Sequence, residues 1–457
     1  MTPQEAQKLV FNSIFDCLTG GQEKYRDVFF YTLEKIMSLN EHFSDEELFL
    51  KITQLASSKV EIDVFKSFLN KIQNPKKILK TRSLNTGNNI LHIILKNKVD
   101  NAIIKICLDL IEGDPIILNQ PNKQGDTPLH FAVKYARKLS TVDLLLKHNI
   151  SLYSANRDKN TPFHYSVMLL THNREFDLSV FEQQMLIFSR FCSIYKKNSL
   201  HSKNKYGNTV LHQMVTDIDF YQGVTGSKKI YEFFHSVYPI AIQNMTTKLK
   251  NIGVNLREKN NLNATAFQLA FMKKHFFVIK SLYDIGSTIT KQDLCQNNFE
   301  EIVLELIQDS SQERFECIKV FVLAGGHVAL KNTQLGHAVL KYALIDHLNI
   351  ELTDLLITKA GARILENGDG NEIWKSLFFK LNHTSDFHFK VNTLKILFHI
   401  GVDYTSKDIY GREAEDLAKL YHMHDEFMQA KQQFEVYSLT QEKMPIRSAT
   451  LQQYFYH

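Results

Sequence analysis

Four histidines occupy the same place in short motifs, three residues after a polar residue: His92 in Asn-Ile-Leu-His, His130 in Thr-Pro-Leu-His, His164 in Thr-Pro-Phe-His and His212 in Thr-Val-Leu-His. Imidazole is a frequent metal ligand and general base, so repeated histidines could build a metal or catalytic site. They are 38, 34 and 48 residues apart. This spacing matches no compact ligand motif such as His-Glu-x-x-His.

A second group of reactive residue types gathers in the C-terminal half: Cys295, Cys317, His327, His337 and His347. A cysteine becomes a nucleophile when a base within hydrogen-bond reach favours its thiolate. Cys317 lies at a core position of an apolar helical pattern, which favours a buried small side chain. Cys295, followed by Gln and Asn, is the better candidate. A cryptic Cys/His hydrolase-like domain, with the rest of the chain selecting its substrate, is therefore an alternative function.

Other signatures of chemistry are missing from the sequence. There is no phosphate-binding Gly-rich loop, nucleophile elbow or EF-hand loop, so we expect no cofactor and no metal and name no catalytic residue. His422-Met423-His424 has no further ligands nearby in sequence and is interpreted as a solvated helix surface.

The composition is typical of a folded protein. The 457 residues are 44% hydrophobic and 23% charged, with a net charge of +5. This mild charge does not indicate nucleic acid, and five cysteines without a Cys-x-x-Cys pair indicate a reducing compartment. The first twenty residues lack a cleavable apolar core, and no apolar run approaches the length of a membrane span. A cytoplasmic location is expected.

The elements that carry the first four histidines repeat along the chain. A Pro at the first helical position loses no hydrogen bond, and a Thr before it caps free amides, so Thr-Pro-Leu-His predicts a helix start. A second apolar helix follows, closed by Gly or Asn, as at residues 140–149. One such helix pair cannot bury its apolar face alone, so neighbouring pairs must stack.

This pattern resembles the ankyrin repeat. The best match is residues 122–154, with Gly125, Thr127, Pro128, Leu129 and His130 in phase. Units near 84, 156 and 204 match in part, Lys159 standing where the family has Gly, and residues 411–418 resemble a terminal unit. The resemblance implies an all-α ankyrin-repeat solenoid of stacked helix pairs, about nine units long, with an N-terminal helical region. Its histidines would hydrogen-bond along the stack, about 10 Å apart, too far to share a metal.

Four segments are expected: a helical region at 1–80, clear repeats at 81–254, degenerate repeats at 255–430, and a tail at 431–457. Residues from about 82 to 430 should form one series of helix pairs without a β-sheet. Ser44-Asp45-Glu46-Glu47 predicts a capping box in the first segment. Two repeat intervals are long, which predicts insertions at 171–184 and 216–229.

The ankyrin resemblance also indicates which positions are free to vary, namely the hairpin tips and the exposed turn of the first helix. Loops and aromatic or Arg side chains on a rigid scaffold often carry recognition. The predicted partner-binding residues are Lys123, Gln124, Asp126, Lys134, Tyr135, Arg157, Asp158, Asn160, Lys205, Tyr206 and Asn208.

Two functions follow as expectations. The first is a scaffold that binds a protein through the concave face of the solenoid. The second is the enzyme described above. The Lys-, Asn-, Ile- and Phe-rich composition with degenerate repeats resembles the ankyrin effectors that intracellular bacteria inject through type IV secretion. That resemblance implies a host protein as partner and secretion without a cleavable signal peptide; eukaryotic adaptors and viral ankyrin proteins share much of the pattern.

Overall fold

The structure is a computed structural model, and it describes residues 2–36, 39–58, 61–112, 114–135, 138–168, 178–195, 200–216, 236–296, 299–308, 313–331, 333–362 and 370–441. These residues form helices, turns and loops and include no β-strand, which confirms the all-α class. Among them, no helix combines the length and apolar character needed to cross a bilayer. The chain divides into two compact units, residues 1–262 and 263–457.

The first unit consists of fourteen α-helices within its described residues: α1 (Pro3–Thr19), α2 (Arg26–Lys35), α3 (Asp45–Ser57), α4 (Ile62–Asn70), α5 (Pro75–Leu79), α6 (Ile90–Lys96), α7 (Asn101–Ile111), α8 (Pro115–Leu118), α9 (Pro128–Lys134), α10 (Leu139–Leu146), α11 (Pro162–Val167), α12 (Leu178–Ile194), α13 (Val210–Thr216) and α14 (Tyr238–Asn251). Two short 3₁₀ turns lie at Glu23–Tyr25 and Leu39–Glu41.

Local sequence explains where these helices begin. Pro128 and Pro162 are the first residues of α9 and α11, as the Thr-Pro motifs predict. The predicted capping box of α3 is confirmed, because Glu47 N–H donates to Ser44 Oγ at 3.3 Å and Ser44 N–H donates to Glu47 Oε2 at 2.8 Å.

The helices of the first unit stack in two layers. One layer is the series α3, α6, α9, α11 and α13, and the other is α4, α7, α10, α12 and α14, each helix packing on the next in its layer. The residue before each motif histidine is fully buried in these contacts, at Leu91, Leu129, Phe163 and Leu211. The pairing therefore continues N-terminally of residue 81, through α3 and α4.

The second unit contains twelve α-helices within its described residues: α15 (Ala266–Met272), α16 (Phe276–Asp284), α17 (Lys291–Gln296), α18 (Phe299–Gln308), α19 (Glu313–Phe321), α20 (His327–Leu330), α21 (Gln334–Lys341), α22 (Ile350–Thr358), α23 (Gly370–Leu381), α24 (Phe387–His399), α25 (Ala414–Leu420) and α26 (His424–Gln441). Two π-helical turns, Val322–Gly326 and Tyr342–Asp346, follow α19 and α21. Helix pairs recur here too, since α16 packs on α19, α19 on α22, and α24 on α26.

Candidate partner-binding surface

The hairpin tips of the first unit share one construction. Asn122 N–H donates to Asp126 O at 2.9 Å, and Asn122 Oδ1 accepts from the N–H groups of Gln124 and Asp126. Asn156 and Asn204 close the next two tips with the same backbone bond. The chain reverses through a left-handed residue, which is Gly125 in the first of these tips and Lys159, at φ +59°, in the second. A lysine thus adopts the conformation for which the ankyrin family uses Gly.

Consecutive tips are joined by backbone hydrogen bonds. In each, the N–H of one tip donates to a carbonyl oxygen of the preceding tip, at N···O distances of 2.8 to 3.1 Å: Lys123 to Thr86, Arg157 to Gln124, Lys205 to Asp158, and Asn261 to Tyr206. These bonds fix the order and register of the tips, so side chains on consecutive tips form a continuous row. We call this row, formed by residues 82–87, 121–125, 155–159, 202–207 and 255–262, the tip strip.

A second series of bonds runs beneath the tips. The Nδ2 group of each closing Asn donates to the Asn or Asp that precedes the helix cap of the previous repeat, at 2.7 to 3.1 Å: Asn122 to Asn88, Asn156 to Asp126, Asn204 to Asn160, and Asn260 to Asn208. Both members of most pairs are buried. These amides and the carboxylate therefore hold the repeats together.

The motif histidines form a third series, as the ankyrin resemblance predicts. Their Nε2 atoms lie 2.9, 2.9 and 3.2 Å from the carbonyl oxygens of the next tip, in the pairs His92 to Asp126, His130 to Asn160, and His164 to Asn208. Each Nδ1 atom accepts from the N–H of the helix cap, for example from Thr127 at 3.1 Å. A backbone N–H can only donate and a carbonyl can only accept, so the rings of His130 and His164 are neutral with their proton on Nε2. The Nδ1 atom of His92 also lies 2.6 Å from Asn89 Oδ1. Both ring nitrogens are engaged, and no lone pair is left for a metal.

Burial affects the acidity of these rings. All three side chains are inaccessible to solvent. Loss of hydration lowers the pKa of His92 and of His164 to about 4, and it also lowers the pKa of His130, against the opposing effect of the Asn160 carbonyl. The rings are therefore uncharged structural groups at neutral pH.

The eleven predicted partner-binding residues fall into three groups. Six are exposed on the tip strip: Lys123, Gln124, Arg157, Asp158, Lys205 and Tyr206. Lys134 and Tyr135 are half-buried at the end of α9. Asp126, Asn160 and Asn208 are buried, with 2%, 7% and 5% of their surface exposed.

The three buried residues are occupied within the stack. Asn160 and Asn208 accept the bonds described above, and Asp126 Oδ1 accepts from Asn156 Nδ2 at 2.7 Å and from Tyr165 Oη at 3.2 Å. Burial, together with the Asp126 charge, raises the pKa of Tyr165. One signal for this role was present in the sequence, since an Asn or Asp precedes the cap at residues 88, 126, 160 and 208.

The half-buried pair contacts its neighbours through aromatic rings. The ring of Tyr135 packs on that of Phe131 with centroids 5.3 Å apart, and the ammonium group of Lys134 lies 5.6 Å from the ring centroid of Tyr165. The Tyr135 N–H also caps α9 by donating to Phe131 O. Both residues therefore contribute to packing.

A glycine substitution would test the row of tip bonds. In Gly125→Ala the new methyl group would lie 2.7 Å from Arg157 N and 3.0 Å from Asn156 Cα, at a φ of +82°. Gly411 is the matched control, because its φ is +77° and a methyl group added there would meet no heavy atom within 4 Å. We expect Gly411→Ala to lower the free energy of unfolding by about 1 kcal/mol through backbone strain and Gly125→Ala by roughly 2 kcal/mol. Equal losses in urea melts would show that the close approach of the tips is unimportant.

The Cys and His residues of the C-terminal half differ in burial and in the residues they contact. Cys317 is buried in α19, whereas His327 is exposed. The His347 ring packs on Tyr342 and Phe315, with centroids 4.5 and 5.3 Å away. The side chain of Cys295 lies outside the described residues. Within the described part of the chain, no three His, Cys, Asp or Glu side chains are grouped as a metal site would require.

The remaining sequence predictions concern the stretch at residues 422–424, the two insertions and the C-terminal tail. His422 and Met423 form the turn between α25 and α26, with Met423 fully buried, so the interpretation of this stretch as a solvated helix surface is wrong. Of the insertions, residues 178–184 begin α12 and Thr216 ends α13, whereas 171–177 and 217–229 lie outside the described residues. The end of the tail, 442–457, also lies outside them.

Comparison with known proteins agrees with this construction. A family model for ankyrin repeats, in three copies, matches residues 53–156. A Legionella pneumophila protein, phosphocholine transferase AnkX, is 25% identical over 217 residues, which are 46% of this chain and 20% of that protein. The chain thus spans only about a fifth of that relative's length, and the relative's activity is not carried over by the match. From the repeated tip bonds and the family match, we conclude that this chain contains ankyrin repeats.

Proposed function

We propose that this chain is a protein-interaction scaffold that binds its partner through the tip strip and the adjoining end of α9. The observation that supports this most directly is the row of backbone bonds between consecutive tips. These bonds connect the backbone segments that carry the exposed side chains of Lys123, Arg157 and Tyr206. A preorganised surface loses little conformational entropy on binding, so a few anchors suffice for affinity.

We also propose that the partner is a host-cell protein and that the chain acts as a secreted effector. Two observations support this: the compositional resemblance to injected ankyrin effectors and the similarity to a protein of Legionella pneumophila. The partner would then be found in eukaryotic cytoplasm, and the chain would reach it without a cleavable signal peptide.

The binding proposal is tested with Tyr206→Ala combined with Arg157→Ala. Tyr206 is 59% exposed and Arg157 is also exposed, so neither change should alter the melting temperature. Tyr135 is left unchanged because its packing on Phe131 would confound the result. A partner captured from eukaryotic cell lysate by cross-linking and identified by mass spectrometry should bind the variant at least about tenfold more weakly, roughly 1.4 kcal/mol.

The matched control changes the same kinds of residue elsewhere. Tyr31→Ala with Lys105→Ala removes an exposed Tyr and an exposed cation from α2 and α7, away from the tips. Its affinity for the captured partner should equal that of the unaltered chain. Equal binding by the tip variant would refute the proposed surface, and a turnover activity abolished by Cys295→Ala would favour the enzyme alternative.

A further inference from the structure

The tip strip is more strongly positive than the chain as a whole. It contains eight basic residues, Arg82, Lys123, Arg157, Lys159, Lys203, Lys205, Arg257 and Lys259, and only two acidic ones, Asp158 and Glu258. The net charge of this strip therefore exceeds the +5 of all 457 residues, although the strip is a small part of the chain. Most of the basic side chains are exposed.

The two carboxylates of the strip are already paired within it. Lys205 Nζ lies 2.7 Å from Asp158 Oδ1, and Lys203 Nζ lies 2.6 Å from Glu258 Oε1. Each pair joins neighbouring tips and cancels one positive charge. The sign of the strip is consequently set by the other six cations, which lie on the first, second, third and fifth of its five tips.

Apolar side chains lie among these charges. Tyr206 is 59% exposed and Leu262 is 66% exposed, on tips that are joined by the bond from Asn261 N–H to Tyr206 O. A partner that fits the strip therefore presents negative charge together with at least one apolar side chain. Because consecutive tips form a row, an extended segment would contact several of them at once.

We propose that the tip strip binds an extended, acidic segment of the partner protein, rich in Asp and Glu, with Tyr206 and Leu262 receiving an apolar residue of that segment. This inference rests on the proposed function and specifies the chemistry of the partner. Complementary charge raises the association rate of the two proteins and disfavours the binding of basic proteins. Nucleic acid would match the charge of the strip equally well, but the exposed aliphatic side chain of Leu262 offers no stacking face to a base and favours a protein segment.

The test uses the full chain and a fluorescein-labelled oligoglutamate peptide, with oligoglutamine and oligothymidylate of the same length as comparisons. Fluorescence anisotropy should show binding of oligoglutamate that weakens as NaCl is raised to about 0.15 M and beyond, and weaker binding of the other two. Tighter binding of oligothymidylate would overturn the proposal in favour of nucleic acid. Failure of oligoglutamate to bind at low salt would also overturn it.

Charge reversal locates the interaction. Lys123→Glu with Arg157→Glu should weaken oligoglutamate binding at least tenfold, because Arg157 N–H bonds to the tip that carries Lys123 and the two cations are neighbours. Lys105→Glu with Lys147→Glu makes the same change of charge on the second helices, at α7 and the end of α10, and should leave binding within twofold. If both variants bound oligoglutamate equally weakly, binding would depend only on the net charge of the chain, and the proposal would be overturned.

The outcome separates this inference from the proposed function. One outcome would support the scaffold function and refute the acidic segment. In that outcome, Tyr206→Ala with Arg157→Ala weakens binding of the captured partner, whereas neither added salt nor Lys123→Glu with Arg157→Glu changes it. If neither variant affects capture, the surface itself is wrong. Melting temperatures equal to that of the unaltered chain must accompany each binding measurement.

Discussion

Leu129→Ala is expected to lower the free energy of unfolding by about 2 to 5 kcal/mol. Leu129 is 0% exposed and lies on α9, which packs against α6 on one side and α11 on the other. Removing three carbon atoms there opens a cavity between repeats whose backbones are held in place by the tip bonds and the histidines. The neighbours cannot close over the cavity without breaking those bonds, so the loss should lie in the upper part of this range.

Urea and thermal melts of the full chain measure this loss. Leu84→Ala is the matched control, because Leu84 is 75% exposed, and we expect its effect to stay within about 0.5 kcal/mol. His130→Ala should have a smaller but measurable effect, about 1 to 3 kcal/mol, since it leaves Thr127 N–H without its acceptor and removes one of the two donors to Asn160 O, which still accepts from Asn156 N–H. If Leu129→Ala melted like Leu84→Ala, the stacking role of the Thr-Pro-Leu-His motif would be wrong.

Local sequence was sufficient to predict the helix starts and the role of the histidines. A Thr before a Pro defines a helix start by itself, and α9 and α11 begin at that Pro. The ring-to-carbonyl bonds of His92, His130 and His164 follow the ankyrin resemblance. The pair α3 and α4 was harder to predict from the sequence, because its first helix begins with Ser-Asp-Glu-Glu and has no Thr-Pro-Leu-His motif. The match to the ankyrin family model nevertheless begins within α3, at residue 53.

The placement of individual site residues was less predictable. Asp126 and Asp158 both lie near a tip, but Asp126 Oδ1 is directed at Asn156 and Tyr165 of the next repeat, whereas Asp158 pairs with Lys205 at the surface. Which of these occurs depends on the neighbouring repeat, whose contacting residues are 30 to 47 positions away in the sequence. Sequence patterns within one unit contain no such information. The same holds for Asn160 and Asn208, whose partners lie in the following repeats.

Acidification is expected to destabilise the chain between about pH 6.5 and pH 4. The pKa of His92 and of His164 is about 4 in the folded chain and about 6.5 in the unfolded chain. Between these values the unfolded chain binds more protons, so stability is complete above pH 6.5 and is lost as the pH falls. At pH 5 each ring should contribute a loss of roughly 2 kcal/mol, or roughly 4 kcal/mol together. His275, whose pKa burial also lowers to about 4, adds to the loss.

The second unit contains a residue that makes the same cap bond as the motif histidines but does not titrate. Gln268 holds the corresponding place in the second unit, where Thr265 N–H donates to Gln268 Oε1 at 2.7 Å. The double variant His92→Gln, His164→Gln should therefore keep the cap bonds and lose much of the pH dependence, with His275 accounting for part of the remainder. Urea melts at pH 7.5 and pH 5 measure this. A fall in stability as large in the double variant as in the unaltered chain would mean that other groups, such as surface carboxylates, cause the acid sensitivity. Retention of full stability at pH 5 by the unaltered chain would contradict the buried neutral state of these rings.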